Sequence, residues 1–220
     1  MDYRTSQKLF SVARISKYVH ACANDKRKAM LLYRYNIRLC QKFYGVLNLF
    51  EVILRNAINE HYSAYYNDRD WIVNQAAIGK LLQEDREDIK STEGGYKRHG
   101  IYSNDKMVSS FTMGFWTFLF TKKNYKKGGK TLLRIFPNKA RGKNQAEVYR
   151  DLTYIREFRN RIAHHEPICF DVTGSVGTCF ARKHYNLIRE YISYFGHTPD
   201  DVLSWAEKPD ELLNKIDAIR

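Results

Sequence analysis

The sequence predicts an all-α protein, and three observations predict it. Only four prolines occur, at 137, 167, 199 and 209, so the first 136 residues hold none. Apolar residues recur at steps of three, four and seven over long stretches, the spacing that lines one face of a helix. No segment shows the strict apolar–polar alternation of a half-buried strand.

A first helix starts near Thr5 or Ser6 and carries Leu9, Val12, Ala13 and Val19. The next runs from Asp25 to about Tyr66 with no proline and one glycine, Gly45. Leu32, Leu39, Phe43, Val46, Phe50, Ile53 and Ala57 form one stripe on it. Tyr33, Ile37, Cys40, Tyr44, Leu47, Leu54 and Ile58 form a second beside the first. Two adjacent stripes give a wide apolar face, which makes this long helix the centre of a bundle. Trp71 to about Lys90 reads as one or two shorter helices, and Met107–Phe120 as a buried apolar one. Asn144 and Glu147 form a capping pair for a helix from Gln145 to about His165, ended by Pro167. Its core stripe is Val148, Leu152, Ile155, Phe158 and Ile162. The C-terminal helices fill about residues 180–220, with Thr198-Pro199 and Pro209-Asp210 as starts.

Charge is distributed unevenly. The chain has 220 residues, a length that one domain covering 1–220 accommodates, and a net charge of +13. From Ser91 to Gln145 there are 12 Lys and Arg against Glu93 and Asp105, together with seven of the 12 glycines. This region, about 91–145, reads as a basic insert with loops at Gly94–Ser103, Lys122–Lys130 and Asn138–Lys143. Such a surface attracts polyanions. Its RNA-contact candidates are Lys97, Arg98, Lys122, Lys123, Lys126, Lys127, Lys130, Arg141 and Lys143, with Tyr96, Tyr102 and Tyr125 placed to stack on unpaired bases. The run Phe111–Phe120 is half the length of a membrane span, so no membrane partner is expected. The N-terminus has no apolar leader segment, which predicts a cytoplasmic protein with free thiols at Cys22, Cys40, Cys169 and Cys179.

One segment concentrates chemistry: Ile155-Arg-Glu-Phe-Arg-Asn-Arg-Ile-Ala-His-His-Glu-Pro-Ile168. Three arginines, an asparagine and two histidines sit near a helix C-terminus. Arg156, Asn160 and His164 follow one another at i, i+4, i+8 on one face, with Arg159 on the flank. Histidine moves protons near neutral pH, and arginine clamps phosphate and stabilises charge as it develops. The plainer reading is that cations near a helix C-terminus complement its dipole. The adjacent His164, His165 and Glu166 diverge on a helix and chelate a metal poorly, so no metal or other cofactor is expected.

The string Arg159-Asn160-x-x-x-His164 resembles the R-N-x-x-x-H signature of HEPN-superfamily ribonucleases. The longer pattern resembles Abi-like abortive-infection proteins of the AbiD/AbiF type. Leu31-Leu-Tyr-Arg-Tyr-Asn36, Phe50-Glu-Val-Ile-Leu-Arg-Asn-Ala-Ile58, Asp70-Trp71 and Met113-Gly-Phe-Trp-Thr117 carry the likeness over roughly residues 5–170. The resemblance implies a HEPN-like helical bundle and metal-independent RNA cleavage in phage defence. It implies Arg159 and His164 as the catalytic pair, oriented by Asn160, and two motif copies meeting across a homodimer. The 2′-OH would attack and a 2′,3′-cyclic phosphate would result, which spares DNA. Glu166 departs from the tyrosine that nucleotidyltransferase-paired HEPN toxins carry at that place. Accessory candidates are His165, Arg156, and a second R-N pair, Arg55-Asn56, followed by His61; Arg55 also suits a plain structural ion pair. The alternative function is an RNA-binding module that holds a structured small RNA with little or no cleavage.

Overall fold

The computed structural model describes residues 3–219, and among them the architecture is all-α. Twelve α-helices occur: α1 Tyr3–Phe10, α2 Val12–Ala21, α3 Lys26–Tyr66, α4 Trp71–Ala77, α5 Arg86–Arg98 and α6 Asn104–Ser110, then α7 Met113–Phe118, α8 Lys122–Lys127, α9 Gln145–Ala163, α10 Cys179–Tyr194, α11 Pro199–Leu203 and α12 Asp210–Asp217. A 3-10 turn covers Leu132–Ile135, and one isolated β-bridge joins Phe170 to Val176. No helix of the described residues is long and apolar enough to cross a membrane. The chain divides into two compact units. The first holds residues 1–49, 157–190 and 198–220, the second 50–156 and 191–197.

In the first unit, Asp25 starts α3 by accepting from the backbone N–H groups of Arg27 and Lys28, at 2.9 and 3.0 Å. Those donors hold its carboxyl below the usual range. The expected N-terminal helix is two helices. Ser11 lies at φ 70° between them, and its side chain accepts from Arg14 N to cap α2. Leu9 and Val12 are consequently exposed, and Ile15, Tyr18 and Val19 are the buried residues of α2. Leu32, Leu39, Phe43 and Val46 of α3 are buried with Phe158 and Ile162 of α9 and Ile188 of α10. Phe43 meets Phe158 edge-on at 5.0 Å and Tyr185 at 5.9 Å. Gly45 has a packing role that the sequence did not announce: a Cβ there would come within 3.3 Å of the Ala206 methyl.

In the second unit, Leu54, Ile58 and Tyr62 of α3 and Val148, Leu152 and Ile155 of α9 are buried together with Trp71, Trp116, Phe120 and Phe136. The cap of α9 is reciprocal, as its sequence predicts. Asn144 N donates to Glu147 at 2.9 Å, and Asn144 Oδ1 accepts from Ala146 and Glu147 N. The basic insert is more helical than expected. Residues 94–98 belong to α5, and Lys122–Lys127 form α8, capped by the Thr121 hydroxyl accepting from Asn124 N. Met107–Phe120 is broken at Phe111-Thr112 into α6 and α7, because both residues are extended there.

Gly128 is buried against Tyr62, and a Cβ there would overlap the Tyr62 hydroxyl. Gly128→Ala is expected to destabilise the protein by about 1–3 kcal/mol, as overpacking does, read as a lower urea midpoint. His61 lies 2.9 Å from the Thr131 hydroxyl, and burial, with Arg134 nearby, holds its pKa below 6.5. A histidine whose folded pKa is depressed contributes stability that is full above the unfolded pKa and is lost as pH falls through the folded one. Urea midpoints should therefore drop between pH 7 and pH 5, and His61→Gln should flatten that limb.

All four cysteines are free. Cys22 and Cys169 are buried and Cys179 is exposed. Burial pushes the Cys40 thiol up to about 11.

Candidate functional site

The motif occupies the last turn of α9 in the first unit. The helix stops at Ala163, before the expected end, and proline is not what stops it. His165 takes a left-handed conformation, φ 58°. Its N–H donates to Ile162 O at 3.0 Å, and Glu166 N donates to Arg161 O at 2.9 Å. This double closure is a Schellman turn, a device that usually places glycine at the left-handed position. A histidine there carries backbone strain, so neighbouring contacts must fix it.

Five contacts fix it. Arg14 of α2 donates to His165 O at 2.7 Å. Arg161 Nε donates to Pro167 O at 3.0 Å and lies 3.6 Å from the Glu166 carboxylate. The Arg161 guanidinium also sits over the Phe180 ring at 5.1 Å. Asn36 of α3, buried, accepts from Ile168 N at 2.9 Å. The turn is thus anchored before and after the histidine pair, while Asn160, His164 and His165 remain exposed. His164 N donates to Asn160 O at 2.8 Å, which makes the two consecutive steps of one exposed helical row. Beneath them Phe158 is fully buried and stacks on His184 at 4.3 Å.

Arg159 and His165 line a cleft of about 1430 Å³. Lys8 and Arg14 add positive charge to its walls, Glu207 is its acid, and Tyr44, Ile37 and Leu9 supply apolar surface. Lys42 draws Glu207 into an ion pair at 2.8 Å. The cleft therefore presents cations beside aromatic and aliphatic side chains. Among the described residues no group of three metal-ligating side chains converges.

The other candidates belong to the second unit. Arg156 bonds the Thr117 hydroxyl at 3.5 Å and lines a separate cleft with Glu84, Asp85 and Asp88. Burial, and then Glu84 and Asp88, raise the Asp85 pKa there. Arg55 is half-buried, its Nε enclosed without a hydrogen-bond partner, and Asn56 is exposed.

Of the basic candidates, Lys122, Lys126, Lys130, Arg98 and Arg141 are exposed. Lys123 pairs with Glu84, Lys127 reaches Gln83 at 3.5 Å, and Lys97 pairs with Glu93 at 2.6 Å. Lys143 is a correction. Its side chain is 13 % exposed, bonded to Asp151 at 2.8 Å and set over the rings of Tyr191 and Tyr194. A cation so enclosed holds the fold together and is withdrawn from any polyanion. The tyrosines expected to stack are also engaged. Tyr96 bonds Ser110, Tyr102 bonds Asp70, and Tyr125 donates to Lys130 O. Tyr65 is an exposed ring of that unit, parallel to His61 at 6.3 Å.

Sequence reasoning missed Lys8, Arg14, Asn36 and Tyr44. Arg14 and Lys8 look like any solvated helix cations. Tyr44 sits on a stripe whose spacing reads as core. No family model matches the chain, and neither the characterised proteins nor the solved structures give a match.

Proposed function

We propose that this protein is a metal-independent endoribonuclease of HEPN type that acts in the bacterial cytoplasm in abortive infection against phage. The observation that carries the proposal is the anchored turn at the end of α9. Asn160 and His164 are exposed at that anchored helix end, and Arg159, one turn earlier on α9, lines a cationic cleft. The R-N-x-x-x-H resemblance supplies the roles. Arg159 clamps the scissile phosphate. The 2′-oxygen–phosphorus bond forms as the phosphorus–5′-oxygen bond breaks. One histidine takes the 2′-hydroxyl proton and a second delivers one to the departing 5′-oxygen. With one motif per chain, a homodimer brings two copies of His164 together, and twofold symmetry makes the pair equivalent.

The reading predicts cleavage of a mixed RNA pool in EDTA by wild type, none by Arg159→Ala, and an intact DNA strand of the same sequence. DNA cleavage, or dependence on added divalent metal, would contradict it. The second reading is an RNA-binding module for a structured small RNA. The exposed Lys122, Lys126 and Lys130 favour it. It predicts salt-sensitive RNA retention without cleavage.

A further inference from the structure

We propose that the cleft beside Arg159 is a base-binding subsite for single-stranded RNA, with Tyr44 as its stacking platform. The inference rests on RNA being the substrate of the α9 motif and goes beyond it by naming how the strand is gripped.

Tyr44 is 64 % exposed and Ile37 41 %, although both lie on an apolar stripe of α3. Leu9 reaches the same cleft from α1 and is 62 % exposed. Apolar side chains left open in this way mark a surface that something covers. The charge of the walls says what covers it. Lys8 and Arg14 line the cleft, and its one lining carboxylate, Glu207, is engaged by Lys42. Flat apolar surface interleaved with cations matches the alternation of base and phosphate along an unpaired strand. Size argues the same way. A cleft of about 1430 Å³ exceeds the roughly 300–1,000 Å³ of small-molecule pockets, so it suits a length of polymer. Paired RNA hides its base faces, so the subsite selects loops and unpaired segments.

The experiment uses full-length protein carrying His164→Ala, so that RNA survives. A short unpaired RNA with one 2-aminopurine is titrated, and quenching of that base reports stacking. The expected result is saturable quenching, with Tyr44→Ala abolishing it and weakening binding about tenfold, and Tyr44→Trp restoring both. Tyr44 is exposed, so its variants should melt as the parent does. Unchanged quenching in Tyr44→Ala would overturn the proposal. So would a Tyr44→Ala variant that turns a dimer into a monomer at unchanged quenching, since the face would then be covered by a second copy. If Tyr44-dependent quenching appears but wild type cleaves no RNA, the subsite stands and the ribonuclease reading fails. If wild type cleaves and Tyr44 is irrelevant to both quenching and KM, the subsite fails and the ribonuclease reading stands.

Discussion

Replacing His164 with alanine is expected to lower RNA cleavage in EDTA by about 10²–10⁴-fold, the usual worth of a general acid–base group. His164 is exposed and its side chain packs against no core, so its loss should leave melting and RNA affinity close to wild type. His165→Ala separates the two histidines. His165 supplies the left-handed residue of the turn, and alanine tolerates that conformation poorly. Its loss should lower stability modestly, and His165→Gly should recover it, because glycine adopts that backbone without strain. Cleavage assays beside thermal melts check both statements. A His164→Ala protein as active as wild type would remove the catalytic pair from this turn.

Phe158→Ala is expected to be the most damaging single substitution near the site, costing about 3–5 kcal/mol. Phe158 has no exposed surface and meets Phe43 at 5.0 Å, Phe180 at 5.7 Å and His184 at 4.3 Å. Truncation leaves a cavity that the three surrounding rings cannot close together to fill. The melting temperature should fall by about 10 °C for a chain of this length. Because Arg159 follows Phe158 directly, cleavage at a temperature where the variant remains folded should fall as well. Phe158→Leu conserves more volume and should recover much of both. A Phe158→Ala protein that melts like wild type would show that the aromatic cluster does not hold this end of α9.

How much of this was legible in the sequence depends on the kind of signal. The central helix was legible because 42 residues without proline carry a continuous 3.6-residue pattern, and α3 covers Lys26–Tyr66 as expected. The helix starts at Asn144-Glu147 and Thr198-Pro199 were legible because a reciprocal side-chain cap and a first-turn proline act locally. The breaks at Ser11 and at Phe111-Thr112 were not. Neither carries glycine or proline: Ser11 breaks the chain by capping α2, and Phe111-Thr112 by taking an extended backbone. Residues 122–127 read as a loop because charge runs carry no apolar periodicity, yet Thr121 caps them into a helix. The motif itself could be read from residue types and spacing, but its neighbours could not. Periodicity placed Ile37 and Tyr44 on an apolar face without saying whether anything covers it. Lys143 reads as one more surface cation in sequence, and only the fold brings Asp151 and two tyrosine rings around it. The left-handed turn at His165 was also hidden, since histidine gives no glycine-like warning.

The most direct test of the central claim uses one RNA strand whose cleavage position has been mapped in EDTA. The same strand is then made with a single 2′-deoxy sugar at the nucleotide that supplies the attacking hydroxyl. The account predicts that wild type leaves a 2′,3′-cyclic phosphate on the ordinary strand, read by mass, and leaves the substituted strand uncut at that position. Cleavage of the deoxy strand at an unchanged rate, or a 3′-hydroxyl end on the product, would contradict it.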